Sequence, residues 1–215
     1  MLISEQKKFI FIHIQKTAGI SVEAVLKANV SDVREWHGRH GRAVDGVDEL
    51  GSAVWANYFR FAFVRNPWAR LVSWYAMIEK AYLTLTAEQL RSDKPFKSEL
   101  WNYAIKHSRD FETFLYVCTD VVFDLGCHKS FAYNQLDYLT DGKGRMSVDY
   151  VGRFESIEED FASVGEHLKL SETTLPKLNQ TEYRDYREWY TPDLQKLVAQ
   201  RFARDIDAFG YRFEN

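Results

Sequence analysis

A short apolar run near the N-terminus passes directly into a loop of small and polar residues and then into a helical pattern. The segment reads KKFIFIHIQKTAGISVEAVL and covers residues 7–26. Its apolar residues do not alternate cleanly with polar ones, which predicts a strand over Lys8–Ile14 that is buried on both faces. A helix from Ile20 to Ala28 is predicted to follow at once. The free N–H groups and the positive dipole end of this helix would face the loop, and such a point binds phosphate-like anions.

The side chains of the loop also suit an anion. Lys16 supplies a positive charge, and Gly19 allows the backbone to approach a ligand closely. Thr17 and Ser21 supply hydroxyl donors. The loop of nucleotide triphosphatases requires glycines before its lysine, in the pattern GxxxxGK[ST], whereas residues 9–15 contain no glycine.

A second buried strand is predicted over Phe59–Val64, with the sequence FRFAFV. It is followed by Arg65-Asn66-Pro67, and proline suits the first position of a helix. Residues at helical spacing then give that helix one apolar face: Leu71, Tyr75, Ile78 and Tyr82. The end of the strand offers no acidic residue to hold Mg²⁺. The two strand ends therefore predict a site for an anionic donor that is handled without a metal.

The rest of the chain continues the alternation of strands and helices. Asp45 is predicted to cap a short helix through Val54, and residues 110–117 look helical. A third strand is predicted over Val148–Phe154, followed by a helix over Ile157–Leu168. A final helix is predicted to begin at Thr191-Pro192-Asp193 and to end at Gly210. This order predicts the α/β class, with a central parallel sheet flanked by helices on both faces.

Length and composition limit the alternatives. A chain of 215 residues predicts a single domain, 1–215, with a possible lid or acceptor-binding excursion around residues 80–130. The net charge of −3 gives no indication of a nucleic-acid or membrane partner. Cys118 and Cys127 do not form a zinc motif and are expected to be free thiols. No apolar run approaches the roughly 20 residues that span a bilayer. We therefore expect a cytoplasmic protein.

Two motifs carry a resemblance to a known family. FIHIQKTAGIS resembles the 5′-phosphosulfate loop of sulfotransferases, and FAFVRNPWARLVSWY resembles their 3′-phosphate motif. VDYVGRFESIEEDF, LNQTEYRDY and RFARDIDAFGY are similar to segments of the carbohydrate sulfotransferases that include the heparan 2-O-sulfotransferases. The resemblance implies a P-loop-like three-layer sandwich and a sulfuryl donor, 3′-phosphoadenosine 5′-phosphosulfate (PAPS), used without a metal. It also implies a hydroxyl acceptor, either a glycan or a small hydroxylated molecule.

The resemblance assigns donor-site residues by position. The 5′-phosphosulfate would be cradled by Lys16, Thr17, Ala18, Gly19, Ile20 and Ser21, with Lys16 also neutralising charge on the bridging oxygen. The 3′-phosphate would be held by Arg65 and by Ser73, eight positions later. The segment that closes over the nucleotide would contribute Arg153, Lys177, Thr181 and Arg184. Relatives often carry threonine where Ile20 stands, so we expect somewhat weaker donor binding here.

The acceptor hydroxyl must lose a proton, which a histidine that titrates near neutrality does best. His37 and His40 lie in WHGRHGRA, between the two donor motifs, and the relatives place a catalytic histidine in this interval. His40 is the closer positional match and His37 is the alternative. His13 is interpreted as a packed residue of the first strand. The neighbouring arginines would either orient an anionic acceptor or form a solvated basic loop: Arg34, Arg39 and Arg42.

Two other functions remain open from the sequence. A nucleotide kinase or other triphosphatase of similar architecture is disfavoured by the missing glycines and the missing metal ligand. A non-catalytic nucleotide-binding protein that kept the donor fold is the second alternative. Strict dependence of turnover on Mg²⁺ would favour the kinase, and detectable desulfation of PAPS would exclude the non-catalytic protein.

Overall fold

The structure is a computed structural model, and it describes residues 1–176, 178 and 185–214. The strands are β1 (Leu2–Ser4), β2 (Phe9–Ile12), β3 (Arg34–Glu35), β4 (Phe59–Val64), β5 (Val122–Asp124), β6 (Cys127–Lys129) and β7 (Tyr150–Arg153). The helices are α1 (Gly19–Asn29), α2 (Ala43–Leu50), α3 (Ser52–Trp55), α4 (Pro67–Leu83), α5 (Glu99–His107), α6 (Phe111–Val117), α7 (Leu136–Leu139), α8 (Ile157–Leu168), α9 (Pro192–Arg201) and α10 (Ala203–Phe209). Short 3₁₀ turns cover Gln89–Arg91, Phe154–Ser156 and Tyr186–Trp189.

The chain forms two compact units. The first comprises Met1–Arg65 and Gln135–Gln180, and the second comprises Asn66–Asn134 and Thr181–Asn215. The segment around residues 80–130, predicted to be a lid or acceptor-binding excursion, belongs to the second unit. Among the described residues, no helix combines the length and the apolar character needed to cross a membrane.

The first unit contains a mixed five-stranded sheet in the order β3-β1-β2-β4-β7. The three strands predicted from the sequence, β2, β4 and β7, are parallel to one another, as expected. The sheet as a whole is mixed rather than all parallel, because β1 runs antiparallel to both β2 and β3. Only four residues, 5–8, separate β1 from β2. So short a connection allows antiparallel pairing only, since a parallel crossover needs a dozen residues or more.

The core of this unit lies between one face of the sheet and two helices. Alternate residues along a strand share a face, so the phenylalanines of β2 and β4 stack in one layer: Phe9, Phe11, Phe61 and Phe63. Apolar residues of α1 and α8 pack against this layer, among them Leu26, Phe161 and Leu168. The residues that point to the opposite face are buried as well: Ile10, Ile12, Ala62 and Val64. The predicted burial of both faces is confirmed for these two strands.

The second unit is mostly helical, and its apolar residues form a separate core cluster. Buried side chains of α4, α5, α6 and α9 meet there, including Trp68, Leu100, Phe114 and Val198. The antiparallel pair β5–β6 belongs to the same unit. This strand pair was not predicted from the sequence.

Two helix predictions need correction. The final helix is interrupted at Phe202, whose backbone angles (φ −107°, ψ 25°) leave the helical region, so the segment forms α9 and α10. The short helix through Val54 is likewise divided by Gly51 with φ 75°. Asp45 is the third residue of α2 rather than its N-cap, which is Arg42. From this position its carboxylate reaches back and accepts a hydrogen bond from the backbone N–H of Arg42 at 3.0 Å. By contrast, the bounds of β4 and α8 agree with the prediction.

Candidate active site

The loop between β2 and α1 has an unusual backbone for its residue types. Lys16 has φ 70° and Ala18 has φ 62°, the left-handed region that side chains with a Cβ rarely adopt. Each such residue costs on the order of 1–2 kcal/mol. The hydroxyl of Thr17 donates to the carbonyl oxygen of Ile14 at 2.9 Å, and Thr17 is fully buried. In this structure, therefore, the Thr17 hydroxyl holds the loop conformation rather than pointing a donor at a ligand.

The N-terminus of α1 has no side-chain cap. Its N-cap residue, Ala18, makes no side-chain hydrogen bond, and the first turn contains no acidic residue. Some other helices do have a side-chain cap, α4 from Asn66 and α9 from Thr191, whereas α8 has none. The positive dipole end of α1 is consequently not neutralised by its own sequence, which suits an anionic ligand.

Position 19 has room only for glycine, because a neighbouring side chain lies close to its Cα atom. A Cβ atom at this position would lie 2.0 Å from Cδ2 of His13, far inside van der Waals contact. His13 itself is buried and lies just beyond the end of β2. From the sequence, Gly19 was expected to make room for a ligand, whereas in the structure the imidazole of His13 occupies that space.

Lys16 and Arg65 place two positive charges beside this helix end. Burial, and then the charge of Arg65, lower the pKa of Lys16 from its ordinary 10.5 to about 8. Arg65 is also buried, and its Nη1 donates to the carbonyl oxygen of Lys16 at 3.1 Å. The guanidinium lies 3.9 Å from the ring centroid of Phe154, as a cation–π pair. Two cations that disfavour each other's charge are stabilised together when an anion binds between or beside them.

His40 is anchored to the same loop. Its Nδ1 lies 2.8 Å from the carbonyl oxygen of His13. A carbonyl oxygen only accepts hydrogen bonds, so Nδ1 carries the proton and Nε2 of the neutral ring keeps a lone pair. The edge of the His40 ring also meets the His13 ring, with centroids 4.7 Å apart. The side chain is partly exposed.

His37 has a different environment. Its Nε2 lies 2.6 Å from the Oε2 of Glu49, and its ring meets that of Trp36 edge to face, with centroids 4.6 Å apart. The same carboxylate group accepts a hydrogen bond from Trp36 Nε1 at 3.0 Å. The structure thus brings His40 into contact with the β2–α1 loop, whereas His37 pairs with Glu49.

Glu23, a residue that the sequence analysis did not select, organises the charges around His13. Its side chain is only 8% exposed, and Oε1 accepts a hydrogen bond from Lys27 Nζ at 2.7 Å. Oε2 lies 3.4 Å from Nε of Arg39 and 3.9 Å from Nδ1 of His13. The other two arginines near the histidines pair with carboxylates too, Arg34 with Glu5 and Arg42 with Asp45. The three arginines, expected either to orient an anionic acceptor or to form a solvated basic loop, are therefore each matched by an acidic side chain.

The remaining predicted residues fall into separate groups. Ser21 is buried in the first turn of α1, and its backbone N–H donates to the carbonyl oxygen of Ala18 at 2.9 Å. Ile20 is 42% exposed in the same turn. Arg153 is exposed at the end of β7, and Ser73 is buried in α4 within the second unit. Three predicted residues lie outside the described part of the chain: Lys177, Thr181 and Arg184.

Several residues that contact this site could not be identified from a single sequence. Glu23, Gln135 and Phe154 contact loop residues or Arg65 through their side chains. Gln135 and Phe154 are far from the loop along the chain, so only the fold brings them there. From the sequence, His13 was interpreted only as a packed residue of the first strand. Within the described ranges, no group of three or more His, Cys, Asp or Glu side chains could hold a metal ion.

Comparison with known proteins identifies the family. A model described as the sulfotransferase family matches residues 1–212. The chain belongs to the sulfotransferase family. The match spans both compact units, and it indicates an enzyme that transfers sulfate groups.

A relative gives little more detail about this sulfotransferase. An uncharacterised protein of Archaeoglobus fulgidus is 26% identical over 142 residues, which is 66% of this chain and 92% of the relative. No solved structure matches the chain significantly. The assignment to the family therefore rests on the family model.

Proposed function

We propose that this sulfotransferase transfers a sulfuryl group from PAPS to a hydroxyl acceptor, with His40 as the general base. The observation that carries the proposal is the hydrogen bond between His40 Nδ1 and the His13 carbonyl oxygen, 2.8 Å long. It leaves Nε2 as the proton acceptor beside a loop that suits an anion. The family match favours sulfate transfer over a kinase or a non-catalytic protein.

The donor-site assignment is supported by charge and by helix geometry. The uncapped end of α1, the amine of Lys16 and the guanidinium of Arg65 all belong to the first unit. Together they suit the phosphosulfate and phosphate oxygens of PAPS. Lys16 would neutralise the charge that develops on the bridging oxygen as the S–O bond breaks. The assignments of Ser73 and Arg153 rest on the resemblance of their motifs.

The acceptor is proposed to be a hydroxyl of a carbohydrate, as the similarity to the carbohydrate sulfotransferases suggests. The proton leaves the hydroxyl for Nε2 of His40 while the hydroxyl oxygen attacks sulfur in line with the departing phosphate. The P-loop-like three-layer sandwich is part of the same proposal. It is supported by the parallel strands β2, β4 and β7 and by the packing of α1 and α8 on one face of the sheet.

Turnover of PAPS by two histidine variants tests the base. We expect His40→Ala to lower the rate about 10²–10⁴-fold, the usual contribution of a general base. His37→Ala is the matched control, because His37 pairs with Glu49 rather than with the loop. Its rate should stay close to that of the wild type. The assay follows conversion of PAPS to adenosine 3′,5′-bisphosphate with neutral and acidic oligosaccharides as acceptors. Equal losses in the two variants would contradict the assignment of His40.

Binding tests the donor without any knowledge of the acceptor. A thermal-shift titration compares adenosine 3′,5′-bisphosphate with ATP, each with and without Mg²⁺. A ligand at 100 times its dissociation constant adds about 2.7 kcal/mol to the free energy of unfolding. We expect the bisphosphate to stabilise the protein without Mg²⁺. Stabilisation by ATP and Mg²⁺ alone would instead indicate a kinase.

A further inference from the structure

A buried glutamine brackets the backbone of Arg65. The N–H of Arg65 donates to Oε1 of Gln135 at 2.8 Å, and Nε2 of Gln135 donates to the carbonyl oxygen of Arg65 at 2.8 Å. Gln135 is fully buried and stands immediately before α7. One side-chain amide thus pairs with both backbone polar groups of a single residue, and we call this pair of hydrogen bonds the bracket.

The position of Arg65 explains why such a bracket is needed. The ladder between β4 and β7 ends with the pair Val64 and Arg153, so Arg65 lies one residue beyond it. Buried N–H and C=O groups without partners are costly, and a neighbouring strand would ordinarily satisfy them. The amide of Gln135 supplies the donor and the acceptor that a neighbouring strand would ordinarily have supplied.

The bracket also determines where the guanidinium of Arg65 can go. With the backbone held, the side chain reaches the carbonyl oxygen of Lys16 at 3.1 Å and the ring of Phe154 at 3.9 Å. A long side chain that starts from a fixed Cα atom loses less conformational freedom when it meets a ligand. The charge of Arg65 is therefore pre-organised beside Lys16 and the uncapped end of α1.

We propose that Gln135 is a positioning residue of the donor site, which holds Arg65 in place for the anionic groups of the donor. The inference rests on the proposed function, because it takes Arg65 to be a ligand of the donor. Gln135 itself would act through the backbone of Arg65 and would not touch the donor. Its loss should weaken donor binding even though every positive charge of the site remains.

A double-mutant cycle with adenosine 3′,5′-bisphosphate as the probe tests this role. Gln135→Met keeps the length of the side chain but removes the amide, and each protein is measured by isothermal titration calorimetry. We expect Gln135→Met to weaken binding about tenfold, the effect of a lost pre-organisation of about 1.4 kcal/mol. In the Arg65→Ala background, the same change should alter the affinity by less than about twofold, since the guanidinium that it positions is already gone.

Unfolding in urea separates this role from a purely structural one. The alanine of the Arg65→Ala variant has the same backbone N–H and C=O groups as Arg65, so the amide of Gln135 can still bond to them. Gln135→Met should therefore lower the unfolding midpoint by a similar amount in the wild-type and the Arg65→Ala backgrounds. Gln89→Met is the control: Gln89 is exposed and its Oε1 accepts the Thr86 N–H at 2.9 Å. It should change neither the affinity nor the midpoint. Should Gln135→Met not fold, Gln135→Asn keeps an amide but shortens its reach, and it should weaken binding in the same direction.

The outcomes distinguish the two proposals. If wild type binds the bisphosphate and Gln135→Met binds it equally well, the role of Gln135 is wrong and the donor site stands. The role is also wrong if Gln135→Met weakens binding as much in the Arg65→Ala background as in the wild type. Failure of the wild-type protein to bind the bisphosphate would overturn the donor site and the role of Gln135 together.

Discussion

Individual residues of the loop owe their conformation to contacts with other parts of the first unit. Lys16 and Ala18 adopt left-handed backbone angles that neither residue type prefers. The Thr17 hydroxyl donates to the carbonyl oxygen of Ile14, the Arg65 guanidinium donates to that of Lys16, and the His13 ring lies against Gly19. Strain of this kind persists only where the surrounding structure over-determines it, and it is concentrated at functional sites.

The lowered pKa of Lys16 predicts an upper pH limit for anion binding. The amine is charged below about pH 8 and loses its proton as the pH rises through that value. We expect the affinity for adenosine 3′,5′-bisphosphate to fall above about pH 8, by up to about tenfold per pH unit. Lys16→Arg is the control, because arginine stays charged and its affinity should not fall in this window. Calorimetric titrations between pH 7 and pH 10 would show the difference.

The lowered pKa of Lys16 has a second consequence, for the protein without a ligand. Its stability should rise with pH, whereas its affinity for the anion should fall. The unfolded chain keeps the ordinary pKa of 10.5, so between about 8 and 10.5 it binds a proton that the folded chain has released. The contribution of Lys16 to the free energy of unfolding therefore rises with pH through this window. The difference between wild type and Lys16→Met in urea unfolding at several pH values isolates this contribution. A difference that does not change with pH would show that Lys16 has an ordinary pKa.

Gly19 is predicted to be intolerant of even the smallest side chain. In Gly19→Ala the new methyl group must displace the ring of His13, which lies 2.0 Å from the Cβ position. We expect a loss of about 1–3 kcal/mol in the free energy of unfolding, as for overpacked sites. Turnover should fall as well, since His40 is anchored on His13. Gly142→Ala is the control, because its Cβ would meet Val44 at 3.8 Å, an ordinary contact.

At the scale of elements, local patterns predicted most of the strands and helices around the site. Pro67 marked the start of α4, and the run FRFAFV predicted β4 with its correct bounds. The predicted strand Lys8–Ile14 proved shorter, Phe9–Ile12, because the N–H of Ile14 already turns back to the carbonyl oxygen of Ile12. The division of the final helix at Phe202 was not predictable from its apolar spacing, which continues through the break. Periodicity reports which residues face a core, but not whether the backbone between them stays helical.

The β2–α1 loop is predicted to depend on a single hydroxyl. Thr17→Val keeps the shape of the side chain but leaves the buried carbonyl oxygen of Ile14 without that donor. We expect a loss of about 1–3 kcal/mol in stability. The affinity for the bisphosphate should fall too, because the left-handed angles of Lys16 and Ala18 would be less well held. Thr17→Ser keeps the hydroxyl and should remain close to the wild type in both measurements. Equal affinity in Thr17→Val and Thr17→Ser would show that the hydroxyl does not support the site.

At the scale of the molecule, the aromatic layer of the first unit is predicted to carry much of its stability. Phe61 is fully buried and contacts the rings of Phe9, Phe11, Phe59 and Phe63. Phe61→Ala should therefore lower the free energy of unfolding by about 3–5 kcal/mol. Phe123→Ala, at a ring that is 61% exposed, should change it little. Urea unfolding of the two variants provides the comparison, and a small effect at Phe61 would contradict this account of the core.

The sequence by itself determined the α/β class, the parallel strands β2, β4 and β7 and the family, because these follow from local patterns and from two spaced motifs. It also placed Lys16, Arg65 and the two candidate histidines at the ends of the strands or between them. The resemblance favoured His40 over His37, but only the tertiary structure gave the partners of the two residues, the His13 carbonyl oxygen and Glu49, because packing sets them. The bracket of Gln135 on Arg65 joins residues 70 positions apart. Hydrogen bonds over such separations depend on the fold as a whole, which no local pattern contains.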